Sequence, residues 1–227
     1  MAALRLYQTL VFLFGPLLRL SLSRRAARGR EDKARLRERF GRASLKRPSG
    51  HLVWVHAASV GETLSVLPLL EDILTSRPAQ SILLTTGTLT SARLVAKFQT
   101  EHPDLRARLK HQFSPLDRSA YVAAFLNHWQ PNAALWVESE IWPNLILACT
   151  QRDIPLVMLN GRLSARSFAR WQKLSGTARH LLGGFSLLMA QDATTASRLQ
   201  GLGLEQIKTP GNLKLDAPDL GADETEL

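Results

Sequence analysis

Cysteine is almost absent from this chain: Cys149 is the only one in 227 residues. That excludes an internal disulfide framework and any multi-cysteine zinc site, and it fits a reducing compartment. No G-x-G-x-x-G and no G-x-x-x-x-G-K-[ST] occurs, so dinucleotide binding in the dehydrogenase style and a P-loop are unsupported. No H-E-x-x-H or comparable metal-ligand spacing occurs, and His51, His56, His102, His111, His128 and His180 are scattered. A long hydrophobic run is missing too. The uncharged part of the most hydrophobic stretch, Leu6 to Leu18, covers about 20 Å as a helix, against a hydrocarbon core of roughly 30 Å, and Gly15-Pro16 interrupts it.

Acidic residues are scarce at one end only. Residues 1–50 hold 13 Lys/Arg and 3 Asp/Glu, whereas residues 51–227 hold 16 of each. The net charge of +10 therefore belongs to the N-terminal arm. A balanced body argues against a general nucleic-acid binder, which spreads basic residues over a folded face. An apolar segment followed by Arg24, Arg25, Arg28, Arg30, Lys33, Arg35, Arg37, Arg39 and Arg42 is the two-signal pattern for an anionic bilayer, and it predicts a polybasic helix. The positive-inside rule puts the arm on the cytoplasmic side. The alternative is a solvated charged helix after an ordinary hydrophobic one. A cleaved signal peptide ending near Ser21-Leu22-Ser23 is disfavoured by Arg24-Arg25 and by the single-cysteine body.

From residue 51 short apolar runs alternate with helix-length segments. Strands are predicted at 52–56, 81–85, 111–113, 133–137, 155–159 and 186–190. Helices are predicted at 63–74, 89–98, 119–129, 143–150, 165–182 and 193–202. Pro68 is a local objection to the first of these helices, and Pro143 suits the first turn of its own. Nearly continuous apolar strands in regular alternation with helices predict an α/β fold, a parallel sheet with helices on both faces. The expected divisions are a hydrophobic anchor at 1–23, a basic arm at 24–50, an α/β domain at 51–209 and a linker at 210–227.

Open sheets of this kind bind ligands where their strands end. Ala57-Ala58-Ser59-Val60-Gly61-Glu62 follows the first strand, and Glu138-Ser139-Glu140 follows the fourth. Ser114-Pro115-Leu116-Asp117 follows the third and Asn160-Gly161-Arg162-Leu163-Ser164 the fifth. Gly61 permits a close backbone approach. Thr85-Thr86-Gly87-Thr88 could hold a phosphate on backbone N–H groups, a weak signal alone. Carboxylates brought together raise one another's pKa toward the range of a general base. Glu62 reads equally as such a base or as an acid stabilised by a helix dipole. For Glu138 and Glu140 the competing reading is a loop whose second acid caps the helix at Trp142-Pro143.

Several ordered motifs resemble those of the 3-deoxy-D-manno-octulosonic acid (Kdo) transferases. His56-Ala57-Ala58-Ser59-Val60-Gly61-Glu62 resembles H-A-x-S-V-G-E, and Glu138-Ser139-Glu140-Ile141-Trp142-Pro143-Asn144-Leu145 resembles E-T-E-x-W-P-N-L. Asn160 to Ser167 resembles N-A-R-L-S-x-R-S, and Gly211-Asn212-Leu213-Lys214-Leu215-Asp216 resembles G-N-x-K-F-D. Arg37-Glu38-Arg39-Phe40-Gly41 resembles the family's basic arm. Ser139, Gly161 and Leu215 depart from the motifs without removing a reacting group, and the loop near Gly87 lacks an expected proline.

The resemblance implies a Rossmann-like N-terminal, acceptor-binding domain of a two-domain GT-B glycosyltransferase, on the cytoplasmic face of the inner membrane and held there by its N-terminus. Such enzymes transfer Kdo from CMP-Kdo to a lipid A precursor with inversion, and no cofactor or metal is implied. The motifs cover the first half of the family pattern, so a C-terminal donor domain is expected to be missing. By resemblance Glu62 is the general base. Ser59, Gly61, Glu138, Glu140, Asn160, Arg162, Arg166 and Lys214 bind acceptor or support the base. Arg30 and Arg35 pair with acceptor phosphates or attract anionic lipid nonspecifically. Arg162 and Arg166 read alternatively as salt-bridge partners at a helix start. Two other functions stay open: a catalytically inactive, membrane-bound lipid A binding module, and a soluble α/β sugar-nucleotide binder.

Overall fold

The computed structural model describes residues 2–213. Two helices come first, α1 (Ala2–Leu13) and α2 (Gly15–Ala27), bent by 56° at their junction. Neither is long and apolar enough to cross a membrane, though by length and composition the bent pair together could. A 3₁₀ turn at Leu36–Phe40 leads to β1 (Leu52–Ala57), α3 (Val60–Ser76), β2 (Ser81–Thr86), α4 (Leu89–Glu101), β3 (Leu109–Phe113) and α5 (Ser119–Trp129). Then follow β4 (Ala133–Val137), α6 (Pro143–Thr150), β5 (Leu156–Gly161), α7 (Ala165–Lys173), α8 (Ser175–Leu182), β6 (Leu187–Ala190), α9 (Ala193–Gly201) and β7 (Ile207–Lys208).

The seven strands form one sheet in the order β3-β2-β1-β4-β5-β6-β7, and every pair is parallel. The expected α/β, Rossmann-like sheet is present. Successive side chains of a strand point to opposite faces, and both faces are apolar. Trp54, Leu83, Ala134 and Trp136 pack with Val122, Phe125 and Trp129 of α5, Ile146 of α6 and Leu181 of α8. Val55, Ile82, Leu84 and Val137 pack with Val66, Leu70 and Leu74 of α3 and Val95 and Phe98 of α4. Trp54 lies 4.8 Å from Phe125 and 5.1 Å from Trp136, centroid to centroid. Tilted and edge-on aromatic contacts of this kind add to the burial of large rings.

Three local expectations are corrected. The single helix over 165–182 is two, broken at Leu174 (φ −122°, ψ 37°), whose N–H bonds Trp171 O instead of continuing the ladder. Ser175-Gly176 follows, and both are poor helix formers. The polybasic helix over 24–42 is also absent. α2 stops at Ala27, Gly29 turns left-handed (φ 70°), and the arm continues as turns and the 3₁₀ segment. Pro68 neither breaks α3 nor delays its start: the helix begins at Val60 and runs through it. The buried Val66, Leu70 and Leu74 flank the proline and outweigh the lost N–H bond.

The arm is turned inward. Glu31, nearly buried, accepts from Arg39 at 3.0 Å and from Arg25 at 3.0 Å. Arg39 also donates to the carbonyls of Gly87 and Ser114, tying the arm to the ends of β2 and β3. Gly41 closes the segment at φ 75°, where an added Cβ would lie 2.0 Å from Tyr121 O. Only glycine fits there.

Candidate active site

The strand order fixes where a ligand fits. From β1 the chain steps outward through β2 to β3, then returns to place β4 on the other side of β1. That reversal opens a crevice between the carboxyl ends of β1 and β4, the usual ligand position in open α/β sheets. His56 of β1 sits opposite Trp136 of β4. The loops carrying Glu62 and Glu138-Ser139-Glu140 therefore leave the sheet side by side.

Glu62 is nearly buried in the first turn of α3. Ser59 is the N-cap: its hydroxyl accepts from Glu62 N at 3.2 Å and donates to Glu62 Oε1 at 2.7 Å. Glu62 Oε2 accepts from Ala58 N at 2.7 Å. This is a variant of the capping box: the return bond of the acid goes to the N–H of the residue before the N-cap rather than to that of the N-cap itself. Burial raises the Glu62 pKa, the Ser59 and Ala58 hydrogen bonds pull it down, and the charges of Glu140 and Glu138 push it up again. The three carboxylates thus share one electrostatic site. Each Glu62 oxygen keeps a further lone-pair direction for a substrate hydroxyl. Beside it Gly61 is exposed, with open space where a Cβ would be.

Glu138 and Asn160 end neighbouring strands, and both are left-handed, at φ 58° and 54°. Such conformations cost about 1–3 kcal/mol for a residue with a side chain, less for Asn. Glu138 N donates to Leu159 O at 2.8 Å, and Arg162 N donates to Ser139 Oγ at 2.9 Å, so the two loops are stitched together. The Glu140 carboxylate accepts from Trp142 Nε1 at 3.2 Å, and its carbonyl accepts from Trp136 Nε1. Asn160 is buried. Its Oδ1 accepts from Leu213 N at 3.1 Å, while Nδ2 has no hydrogen-bond partner among the described residues. It borders a cleft of about 450 Å³ lined by Leu69, Leu159, Met189 and residues 210–213.

The other expected site residues lie elsewhere. Arg162 and Arg166 are exposed and form no ion pair among the described residues. Arg30 is exposed on the arm. Arg35 grips Glu38 at 2.9 and 3.0 Å, donates to His111 O and stacks on Phe113, at the β3 edge rather than beside Glu62. Lys214 lies outside the described residues. The helix after Trp142 is capped by another acid than Glu140. Asp117 Oδ2 accepts from Asn144 N at 3.0 Å and Oδ1 from Leu145 N at 2.8 Å.

In the sequence Asp117 is one residue of the loop after the third strand, and its capping role does not show there. A signal exists: Trp142 has no oxygen with which to cap α6, so its orphan N–H groups must find an acceptor elsewhere. Burial raises the Asp117 pKa against the hydrogen bonds from Asn144, Tyr7 and Leu145. Tyr7 Oη donates to Asp117 Oδ2 at 2.8 Å, and Gln8 Nε2 donates to Asn144 Oδ1 at 3.0 Å, which moors α1 to the same loop. His56, within the first motif, is fully buried and held neutral, its pKa pushed down to about 3 by burial. Its Nδ1 faces the hydroxyls of Thr85 (3.0 Å) and Ser114 (3.2 Å). Among the described residues no group of three His, Cys, Asp or Glu is placed to hold a metal ion.

The sequence model of the family described as 3-deoxy-D-manno-octulosonic-acid transferase (kdotransferase) matches residues 34–217. The chain belongs to this family. It is 34% identical over 216 residues to the 3-deoxy-D-manno-octulosonic acid transferase of Haemophilus influenzae, covering 92% of this chain and 48% of that protein. To the Rickettsia bellii protein of the same name it is 31% identical over 224 residues, with 99% and 52% covered. To the Arabidopsis thaliana protein named "Probable 3-deoxy-D-manno-octulosonic acid transferase, mitochondrial" it is 38% identical over 208 residues, with 91% and 44% covered. The chain thus spans about half the length of the curated relatives it matches. Among solved structures it resembles the UDP-GlcNAc 2-epimerase of Neisseria meningitidis bound to UDP-GlcNAc (TM-score 0.51, 11% identity, 74% of this chain and 47% of that one). It also resembles S. aureus MnaA with UDP (TM-score 0.53, 15% identity, 74% and 47%). At these identities the likeness is one of fold.

Proposed function

We propose that this chain is the acceptor-binding, base-supplying part of an inverting GT-B Kdo transferase. It works on the cytoplasmic face of the inner membrane, moving Kdo from CMP-Kdo to a lipid A precursor. The observation that carries the reading is Glu62: a nearly buried carboxylate with a raised pKa, at the sheet's crevice, beside Glu138 and Glu140. In the proposed step an acceptor hydroxyl oxygen bonds the anomeric carbon of Kdo while its proton passes to Glu62. The bond from that carbon to the phosphate oxygen breaks, and CMP leaves with the electron pair on the opposite face. The transition state has oxocarbenium character. A base helps because a neutral hydroxyl is a poor nucleophile.

Membrane attachment is supported by the exposed apolar side chains Leu6, Leu10, Phe12, Leu13, Phe14, Leu17 and Leu20 on α1 and α2. Leu4, Leu22 and Ala26 are buried and hold these helices to the body. An apolar face of this size flanked by arginines fits a helix pair lying in the interfacial region of an anionic bilayer. A second reading, a lipid A binding module without transfer activity, is favoured by one observation: both Glu62 oxygens already accept hydrogen bonds in the capping box.

The test is a transfer assay with CMP-Kdo and a lipid A precursor, on the protein carrying this chain and its Glu62→Gln variant. Loss of about 10² to 10⁴ in kcat with retained acceptor binding supports the base. Unchanged kcat in the variant eliminates that role. Absence of transfer by the unaltered protein, with lipid binding retained, selects the binding module.

A further inference from the structure

α2, the 3₁₀ turn and α5 enclose a cleft of about 560 Å³ that shares no lining residue with the crevice at Glu62. Arg19, Arg37, Arg42 and Arg118 line it, together with Phe40 and Tyr121. Among the described residues none of these four arginines forms an ion pair, although Arg25, Arg35 and Arg39 of the same segment all do. Four like charges converge on one cavity and lack a counter-charge among the described residues. Like charges repel unless an anion lies between them.

The arginines are held in place while donors stay available. Arg19 Nε donates to Tyr121 Oη at 2.7 Å, and its guanidinium stacks on Phe40 at 5.3 Å and Tyr121 at 5.6 Å. Arg118 lies between Phe12 and Tyr121 at 5.0 and 5.2 Å. Its Nε is buried and has no hydrogen-bond partner among the described residues. It fits there because Gly15 has no side chain: an added Cβ would be 3.1 Å from that nitrogen. Among the described residues Arg37 has one side-chain hydrogen bond, to Ser44 Oγ at a long 3.4 Å. Planar guanidinium forks suit phosphate oxygens, and a cavity of this volume matches a small ligand or headgroup.

We propose that this cleft binds the phosphomonoester headgroup of a membrane lipid. A phosphomonoester carries about −1.5 to −2 at neutral pH, a closer match to four guanidinium groups than the single charge of a phosphodiester. The lipid source follows from the wall of the cleft. α2 contributes Arg19 and Ser23 to it, and the same helix exposes Leu17 and Leu20. Phe12, which stacks on Arg118, is itself 63% exposed. The phosphate site thus opens at the level where the apolar face begins, as at a headgroup boundary. Bound there, the lipid fixes the height and tilt of the crevice over the bilayer.

The inference rests on the reading of α1 and α2 as membrane-facing, and one sedimentation experiment separates the two. The protein is spun with phosphatidylcholine vesicles carrying phosphatidic acid, or carrying phosphatidylglycerol at a mole fraction that matches the surface charge. The expected result is a preference of at least about tenfold for phosphatidic acid, since two or more charge-assisted hydrogen bonds distinguish the sites. In the Arg37→Gln/Arg42→Gln variant, both positions being exposed, the preference falls below about twofold with the melting temperature retained. An Arg24→Gln/Arg28→Gln variant, equal in charge removed but outside the cleft, keeps it. Equal binding of the two anionic vesicles, or equal loss in both variants, overturns the cleft and leaves the membrane reading standing. Sedimentation with no vesicle at all sinks both. Binding of soluble glycerol 3-phosphate as tightly as the vesicles overturns the lipid source.

Discussion

Glu62 serves as helix cap and as candidate base, and the two roles pull its pKa in opposite directions. Its carboxyl is raised above the ordinary value of 4.5, first by burial. A base must be ionised, so the transfer rate should fall on acidification through that raised value, at a higher pH than a solvated glutamate would give. Glu140→Gln removes a repelling charge and should shift the acid limb of kcat to lower pH. Ser59→Ala removes a hydrogen bond that favours the carboxylate and should shift it to higher pH. That second change also costs the cap about 1 kcal/mol, a fall of roughly 2–4 °C in melting temperature. Opposite shifts in two pH–rate profiles would tie the titration to Glu62, and shifts of the same sign would refute the assignment. Gly41→Ala tests a backbone constraint instead. Left-handed strain and the clash with Tyr121 O should cost about 2–3 kcal/mol, seen as a fall in denaturant midpoint with unchanged slope. The residue types at the crevice were readable, because Glu62 and the Glu138-Ser139-Glu140 run closely follow strands. The sequence left Glu62 open between a base and an acid stabilised by a helix dipole, and the structure adds a Ser59 cap that neither reading contained. Asp117 was opaque because its partners, Asn144 and Tyr7, are far away in the chain.

Elements were legible where one physical signal dominated. Helix 119–129, strand 133–137 and helix 143–150 were read with the bounds observed. Each has clear apolar periodicity or a proline at its start. The basic arm was misread because composition reports charge, not its partners. Glu31 and Glu38, only two acids, turn Arg35 and Arg39 inward and hold Arg25 at the rim. Glu31→Gln should therefore cost about 3 kcal/mol or more, since it leaves Arg39 buried without its counter-charge. Lys97→Ala, which removes an exposed pair 3.8 Å long, should change stability by less than about 1 kcal/mol. Calorimetry on the two variants checks the contrast. The break between α7 and α8 escaped notice because the apolar pattern continues across it, and β7 escaped because two residues carry no period. Asp117→Ala belongs to this scale too. It strips acceptors from two buried N–H groups of α6 and should cost about 3 kcal/mol, roughly 10 °C in melting temperature.

For the whole molecule, alternation of strand and helix sufficed to read a parallel sheet, but strand order did not follow from it. The reversal beside β1 is set by long-range packing, in particular Trp54 of β1 against Trp136 of β4 and Phe125 of α5. It is this reversal that brings Glu62 together with Glu138 and Glu140, residues separated by about half the α/β body in sequence. At this scale a Phe12→Glu/Leu13→Glu variant should lose most vesicle binding. Its melting temperature should change little, because both side chains are over 60% exposed.

The mooring of α1 has a practical side. An N-terminal hydrophobic segment invites removal when a protein is to be made easier to handle. Here that cut would take away Tyr7 and Gln8, and with them the donors to Asp117 and Asn144. The damage would surface not at the trimmed end but at the start of α6, next to the loop that holds Glu138 and Glu140. A shortened protein could remain folded and still misplace its acids, and its inactivity would then be mistaken for the loss of a membrane.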